Sequence, residues 1–392
     1  MPCTGVFYMS FNALSRPRSV YLHWPFCPYK CHFCPFVALA SHDQFMDQYH
    51  NALIAEIKKF GANFEGKLPI DTIYMGGGTP STYPDHLLLD TFGILNNVFD
   101  FDATCEITIE VNPGTVRKEQ VKLWREMGIN RLSIGVQSIK DQVLQKLNRH
   151  QSAAQVREVL DFASMHFDNL SVDFILGLPD VSFKEWQELL QAAVQWPIKH
   201  MSVYFLMVHE DTPLYFGVKK KTISLPCDDE VVNAYYWTVD FLAMHGFEQY
   251  EISNFAKPGY QSKHNSMYWD RKPYKAFGIG ACEFDGTSRY QNQKNLKVYM
   301  ESIEQGKEVT VFSETLTPEQ VYLEKIMLGL RRAQGVTLQV LGEGLTSSQK
   351  EYIAAKVEWL KENDFIAQKD EALILTPKGL AVENDIVVKL SL

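Results

Sequence analysis

From Ser19 to about Met207 the chain alternates short apolar runs with longer stretches in which apolar residues recur at helical spacing. The runs Val20–Trp24, Thr72–Met75, Glu106–Val111, Arg131–Val136, Ser171–Leu176 and Met201–Leu206 are rich in β-branched and aromatic residues and too short for helices, so they predict strands. The stretches Gln44–Phe64, Asp85–Phe99, Glu119–Met127, Ala154–Phe167 and Phe183–Trp196 predict helices between them. Such alternation implies parallel strands joined by right-handed crossovers. Six units are too few to close an eight-stranded barrel. The expected fold class is therefore α/β, an open (β/α)6 partial barrel, with a doubly wound sheet as the alternative.

The pattern changes after Glu210. Asp228–Gly246 predicts a helix that starts at an acidic cap and stops at a glycine. The polar and aromatic stretch Tyr250–Asn292 shows no clean period. Helical spacing returns in Glu319–Arg331 and Ser347–Asn363, followed by strand-like runs Phe365–Gln368 and Ala372–Leu375 around a Lys369-Asp370-Glu371 turn. Helices followed by a β-ribbon outline a winged-helix-like helical domain. The expected divisions are an N-terminal extension at 1–18, the barrel at 19–210, a barrel extension at 211–310 and the smaller C-terminal domain at 311–392.

Composition narrows the function classes. The 392 residues are 46% hydrophobic and 22% charged, with a formal net charge of −9, which is ordinary for a globular chain and disfavours a nucleic-acid partner. From Glu314 onward 9 basic residues face 12 acidic ones, so the winged-helix outline is expected to pack against the barrel rather than read DNA. No run approaches the length of a spanning helix and the first residues lack a secretory pattern, so a cytoplasmic protein without stable membrane insertion is expected.

Seven cysteines are present, and three of them, Cys27, Cys31 and Cys34, crowd the loop after the first strand. The scattered Cys3, Cys105, Cys227 and Cys282 read as small apolar residues. Three thiolates spaced C-x3-C-x2-C can wrap a soft metal centre, zinc or iron–sulfur. Structural zinc asks for a fourth ligand, for which His32 is the nearby candidate, whereas an iron–sulfur cube on three cysteines keeps one iron open.

Active sites of barrel folds gather at the C-terminal ends of the strands. There the sequence places the run Gly76-Gly77-Gly78-Thr79-Pro80, whose glycines admit close backbone approach to a ligand. Glu110 ends the third strand and can accept from an amine or from ribose hydroxyls. Gln137 and Ser138 end the fourth, with Arg149 twelve positions on, and Asp173 interrupts the apolar fifth strand. A carboxylate on a buried strand needs a partner, and an ion pair between Asp173 and Arg149 is the expected one.

The three-cysteine loop resembles that of the radical S-adenosylmethionine (SAM) superfamily. The resemblance implies a [4Fe-4S] cluster on Cys27, Cys31 and Cys34 whose remaining iron chelates SAM, and an electron that cleaves a C–S bond of SAM to give a 5′-deoxyadenosyl radical. The segments Tyr21-Leu22-His23-Trp24-Pro25-Phe26-Cys27, Gly76–Pro80, Glu110–Pro113, Gly135–Ser138, Gly177-Leu178-Pro179 and His264-Asn265-x-x-Tyr268-Trp269 occur in order. Together they resemble the oxygen-independent coproporphyrinogen III oxidase (dehydrogenase) family and its HemW-type heme-chaperone branch, from about Ser19 to the C-terminus.

The family likeness implies SAM contacts at Tyr21, Gly77, Gly78, Thr79, Glu110, Gln137, Arg149 and Asp173, with Phe33 packing near the cluster. It implies heme as a third ligand, with His264, Tyr268 and Trp269 as candidates to bind it, and a winged-helix-like C-terminal domain. Cys282 stands where the family usually carries a histidine, a candidate thiolate ligand. The partners implied are heme-accepting proteins, membrane-associated respiratory enzymes among them, a reductant protein such as flavodoxin or ferredoxin, and a second copy of the chain. The dehydrogenase branch has a further cysteine where this chain has Phe36, which favours the chaperone branch. The alternative is an oxidoreductase that decarboxylates coproporphyrinogen III to protoporphyrinogen IX, and a third reading is a zinc-stabilised scaffold.

Overall fold

The structure, a computed structural model, describes residues 16–392; Cys3 and most of the expected N-terminal extension lie outside them. The six apolar runs form β1 (Ser19–Trp24), β2 (Thr72–Gly77), β3 (Glu106–Val111), β4 (Arg131–Gln137), β5 (Asn169–Leu176) and β6 (His200–Phe205). Each pairs in parallel with the next. The crossovers carry helices Met46–Gly61, Asp85–Val98, Lys118–Glu126, Ala153–Ala163 and Phe183–Ala193. The last two begin at Ser152 and Ser182, whose side chains accept from the backbone of Gln155 and Glu185, an N-cap legible in the sequence.

The stretch without a clean period is where the structure adds most. It supplies β7 (Glu248–Glu251), β8 (Asn254–Ala256), β9 (Tyr274–Phe277), β10 (Cys282–Phe284) and β11 (Ser288–Asn292), followed by β12 (Thr310–Thr315). Strand β9 lies parallel to β1, a seventh parallel strand, and β10 to β12 continue from it antiparallel. The order is β7-β8-β6-β5-β4-β3-β2-β1-β9-β10-β11-β12, and its two edges do not pair with each other. The barrel is open.

Period-two alternation divides the faces of β1 to β6. Val20, Leu22, Ile73, Met75, Ile107, Ile109, Leu132, Ile134, Val172, Phe174, Met201 and Val203 are buried in one large core with residues of the surrounding helices. The alternate positions are polar or glycine: Tyr21 and His23, Tyr74 and Gly76, Thr108 and Glu110, Ser133 and Gly135, Ser171 and Asp173, His200 and Ser202. The inner face is therefore a polar lumen rather than the packed layers of a closed barrel.

The C-terminal domain has its own core, in which Ile326, Leu330, Val336, Ile353, Val357, Leu360 and Leu373 meet. Helices Pro318–Leu330 and Ser347–Glu362 pack on a small sheet in which Ala372–Leu375 lies between Val336–Thr337 and Ile366–Lys369. That is the winged-helix outline. It docks through Arg331, whose Nε donates to the buried Glu251 carboxylate at 2.8 Å, and Arg332, which pairs with Asp270. Among the described residues no helix is long and apolar enough to cross a membrane.

Candidate functional site

Beyond Trp24 the chain turns directly into the cysteine loop. Its stem is tied by a two-residue parallel ladder between Phe26–Cys27 and Leu39–Ala40. Cys27 and Cys31 are buried and Cys34 half-buried, all as free thiols. The loop is anchored from outside: His32 N donates to the Leu147 carbonyl at 2.9 Å and Asn148 Nδ2 to the Lys30 carbonyl at 2.9 Å. His32 Nδ1 lies 2.9 Å from the Lys146 carbonyl. That carbonyl takes one ring nitrogen and leaves Nε2 open, but His32 does not gather with the thiols into a metal-binding group.

Among the described residues no three His, Cys, Asp or Glu side chains are gathered to grip a single ion. A cubane asks for wider spacing, because each cysteine holds a different iron. Three free thiols on one short loop are the donor set such a cluster would take. Burial pushes the Cys27 thiol up to about 11, against the pull of the Thr79 hydroxyl at 3.1 Å. The proton would leave on binding positive metal charge.

The glycine run meets this loop at van der Waals limits. A Cβ on Gly77 would stand 2.6 Å from the His23 ring, and one on Gly78 would stand 2.5 Å from the Pro25 carbonyl oxygen. Gly77 also has φ of +115°, a conformation closed to other residues at little cost. Gly78 N donates to the Trp24 carbonyl at 2.7 Å and Thr79 N to that of Phe26 at 2.9 Å, so the turn and the loop form one unit. Gln137 holds a left-handed φ of +65° at the end of β4. Strain of this kind collects at functional positions.

Glu110 faces the same rim. Its carboxylate accepts from Tyr74 Oη at 2.9 Å and from Gly77 N at 3.2 Å. Desolvation nevertheless pushes it up to about 7, with the charge of Asp173 adding to the rise. The expected Arg149–Asp173 ion pair is not formed. Asp173 accepts from Ser133 Oγ at 3.0 Å and from Ser202, which lies directly opposite it on β6. Hydroxyls on both neighbouring strands satisfy it. Arg149 instead turns to the cysteine loop, with Nη1 3.8 Å from Cys31 Sγ, Nη2 on the Gly135 carbonyl at 2.9 Å and Nε on Gln151 at 3.0 Å. Phe33 packs against a small apolar cluster that contains Val143, Leu147 and Leu178. Tyr21 stacks on Tyr74, ring centres 6.2 Å apart, and its hydroxyl reaches His23 Nδ1 at 3.1 Å.

The segment around His264 lies at the opposite end of the barrel. Helix Lys263–Trp269 caps the N-terminal mouth, where the backbone N–H groups of Lys263 and His264 donate to Glu106, the first residue of β3. His264 Nδ1 is 2.8 Å from the Thr72 hydroxyl and Nε2 is 2.7 Å from that of Tyr268. The ring stacks on Tyr74 and is 1% exposed. Desolvation lowers its pKa to about 3. Both nitrogens of His264 are engaged within the fold, and burial keeps the ring neutral. Trp269 lies under Arg331, 4.9 Å from the ring centre. Cys282 is exposed on β10, with Gln291 Nε2 donating to its sulfur at 3.0 Å.

Sequence reasoning missed the lumen. Arg131, 2% exposed, has no ion-pair partner among the described residues, and its charge adds to burial in depressing the pKa values of His200 and His264. His23, Tyr74, Ser133 and Ser202 were missed with it. The signal was present: all six strands alternate apolar and polar residues in step.

The radical SAM superfamily profile matches residues 21–193, and that of the HemN C-terminal domain matches residues 316–382. A relative in Bacillus subtilis (strain 168) named heme chaperone HemW is 33% identical over 94% of this chain and 98% of its own length. The protein of the same name in Lactococcus lactis subsp. lactis (strain IL1403) is 28% identical over 96% and 98%. Among solved structures, the coproporphyrinogen III oxidase (HemN) of Escherichia coli superposes with a TM-score of 0.82 at 23% identity, covering 96% of this chain and 90% of that one; at that identity it shows the fold alone. The chain belongs to the radical SAM superfamily and, within it, to the family of proteins named heme chaperone HemW.

Proposed function

We propose that the chain is a heme carrier on a radical SAM fold. It holds a [4Fe-4S] cluster on Cys27, Cys31 and Cys34, binds SAM on the surrounding rim, and takes up heme for delivery to acceptor proteins in the cytoplasm or at a membrane surface. The observation that carries this reading is the correspondence over 94% of the chain with a protein named as a heme chaperone. Phe36 supports it: where the dehydrogenase branch adds a cysteine, this chain exposes 65% of a phenylalanine.

When bound, the cluster would supply one reducing electron and one iron with a free coordination position. The chain's own residues prepare the surroundings. Gly77 and Gly78 let the turn close on His23 and Pro25 and so fix the cysteine loop, and Arg149 sets positive charge beside Cys31. Glu110, with a pKa of about 7, exchanges its proton near neutral pH while Tyr74 and Gly77 fix its position. In this reading a reductant protein, of flavodoxin or ferredoxin type, supplies the electron.

The test is a substrate assay beside a binding assay. Incubated anaerobically with coproporphyrinogen III, SAM and a reductant, the reconstituted protein is expected to form no protoporphyrinogen IX, while binding hemin stoichiometrically and passing it to an apo-acceptor. Turnover to protoporphyrinogen IX would replace this reading with the dehydrogenase one.

A further inference from the structure

Between the capped mouth of the barrel and the C-terminal domain lies a recess of about 240 Å³. Its walls are the rings of Tyr268, Trp269, Tyr274 and Phe284, and its cations are Arg271 and Arg289. Both guanidinium groups sit over Phe284, 5.2 and 5.6 Å from the ring centre. Both also close on one carboxylate, that of Glu324, which projects from helix Pro318–Leu330 of the C-terminal domain. Arg271 Nε donates to Oε2 at 2.9 Å and Arg289 Nη1 donates to Oε1.

Two cations meet one carboxylate here, Arg271 and Glu324 being 14% and 11% exposed while Arg289 is 41% exposed. Two donors of the recess are also buried without an acceptor, Arg271 Nη2 and Trp269 Nε1. A buried donor left unpaired is costly, and native structures show few of them. The missing component is an acceptor, for which negative charge is favoured beside guanidinium groups, and the aromatic rim around it suits the edge of a flat ligand.

We propose that this recess is a subsite for a carboxylate borne by a planar aromatic ligand, with Glu324 as its internal stand-in. Resting on the heme-carrier reading, the ligand group is a propionate of the tetrapyrrole. The recess is smaller than the roughly 300–1,000 Å³ that encloses a whole drug-sized ligand, so it takes the propionate edge alone. The incoming carboxylate accepts from Arg271 Nη2 and competes with Glu324 for Arg271 and Arg289. Helix Pro318–Leu330 thereby acts as a cover whose own acid holds the subsite in register until ligand arrives.

The experiment titrates the full-length protein with hemin and with hemin dimethyl ester, whose propionates are neutral, and reads absorbance and tryptophan quenching. The wild type is expected to prefer hemin roughly tenfold or more, as a charge-assisted pair is worth. Arg271→Gln is expected to abolish the preference by weakening hemin alone. Glu324→Gln, which keeps the side chain's shape, is expected to tighten hemin several-fold and leave the ester unchanged. Should Arg271→Gln fail to fold, the Glu324→Gln arm decides. Equal binding of hemin and its ester in the wild type, unmoved by Glu324→Gln, would overturn the subsite and leave the heme reading intact. Failure of the wild type to bind either porphyrin would overturn both.

Discussion

At the C-terminal rim the strands of the barrel run into glycines, a left-handed Gln137 and three free thiols. At the opposite mouth the same sheet begins with Ser19, Thr72 and Glu106, which bond to one another or to the helix that covers them, Thr72 Oγ1 donating to Ser19 Oγ at 2.9 Å. The rim stores close approaches that a single Cβ would prevent. The mouth leaves neither His264 nitrogen open. The difference separates a rim of close main-chain approaches from a mouth whose strand-start polar groups bond to one another, although both contain residues with chemistry of their own. A histidine or carboxylate identifies a site only together with the end of the barrel it occupies.

The comparison breaks most completely at the cysteines. After anaerobic reconstitution the wild type should carry iron and sulfide, roughly four each per chain. The triple variant Cys27→Ala, Cys31→Ala, Cys34→Ala should carry neither, with its far-UV circular dichroism unchanged, because the loop is anchored independently of the thiols, His32 N donating to the Leu147 carbonyl and the Asn148 side-chain amide to the Lys30 carbonyl. A wild type that retains zinc alone would remove the rim from ligand chemistry of this kind.

At the mouth the expected loss is stability. His264→Ala forfeits the bonds to Thr72 and Tyr268 and the stack on Tyr74, at a cost of about 3–4 kcal/mol in urea unfolding. Acid titration sharpens the point. The folded-state value of about 3 lies below the ordinary 6.5, so below pH 6.5 the unfolded chain binds a proton that the folded chain refuses. Stability falls with pH toward 3, by about 1.4 kcal/mol per pH unit for each such histidine. His23, lowered to about 4, and His200 behave alike. Measured between pH 7 and 5, the slope in His264→Ala should be shallower than in the wild type by one histidine's share.

Glu110 on the rim has the opposite sign. Its folded-state value of about 7 stands above the ordinary 4.5, so between those values the folded chain keeps a proton the unfolded chain has released. Stability falls as pH rises through this window and the loss is complete above about pH 7. Glu110→Gln removes that dependence. Relative to the wild type it should gain on the order of 2 kcal/mol between pH 5 and pH 8, measured by urea unfolding at both. A wild type with the same profile as the variant would show that Glu110 is solvated and ordinary.

The outer architecture was legible because burial against helices demands apolar residues on every second position of β1 to β6, and such runs stand out in sequence. Strand β9 was not legible. It is four residues long and carries Lys275, whose charge is absorbed by Glu283 on β10 and by the faces of Phe60 and Phe277, so polarity concealed a strand. The cysteine loop was legible from local spacing alone. The partner of Asp173 was not, because Ser133 and Ser202 reach it only through the strand register. The placement of His264 was equally hidden: Glu106, which anchors its helix, is 158 positions away in sequence.

The smallest expected effect concerns Cys282, the other residue considered for heme. Its exposed sulfur accepts one hydrogen bond from Gln291 and lies on β10, whose Phe284 forms part of the aromatic recess. Cys282→Ala should change unfolding stability by less than about 0.5 kcal/mol, as exposed substitutions usually do. Its consequence lies in the spectrum of the hemin complex. Both nitrogens of His264 are engaged and Cys282 is exposed beside the recess, so in the heme-carrier reading replacing it should shift the Soret band while leaving the preference for hemin over its ester intact. An unshifted band would take Cys282 out of the site and return attention to Tyr268, whose hydroxyl would have to leave His264 to reach the iron.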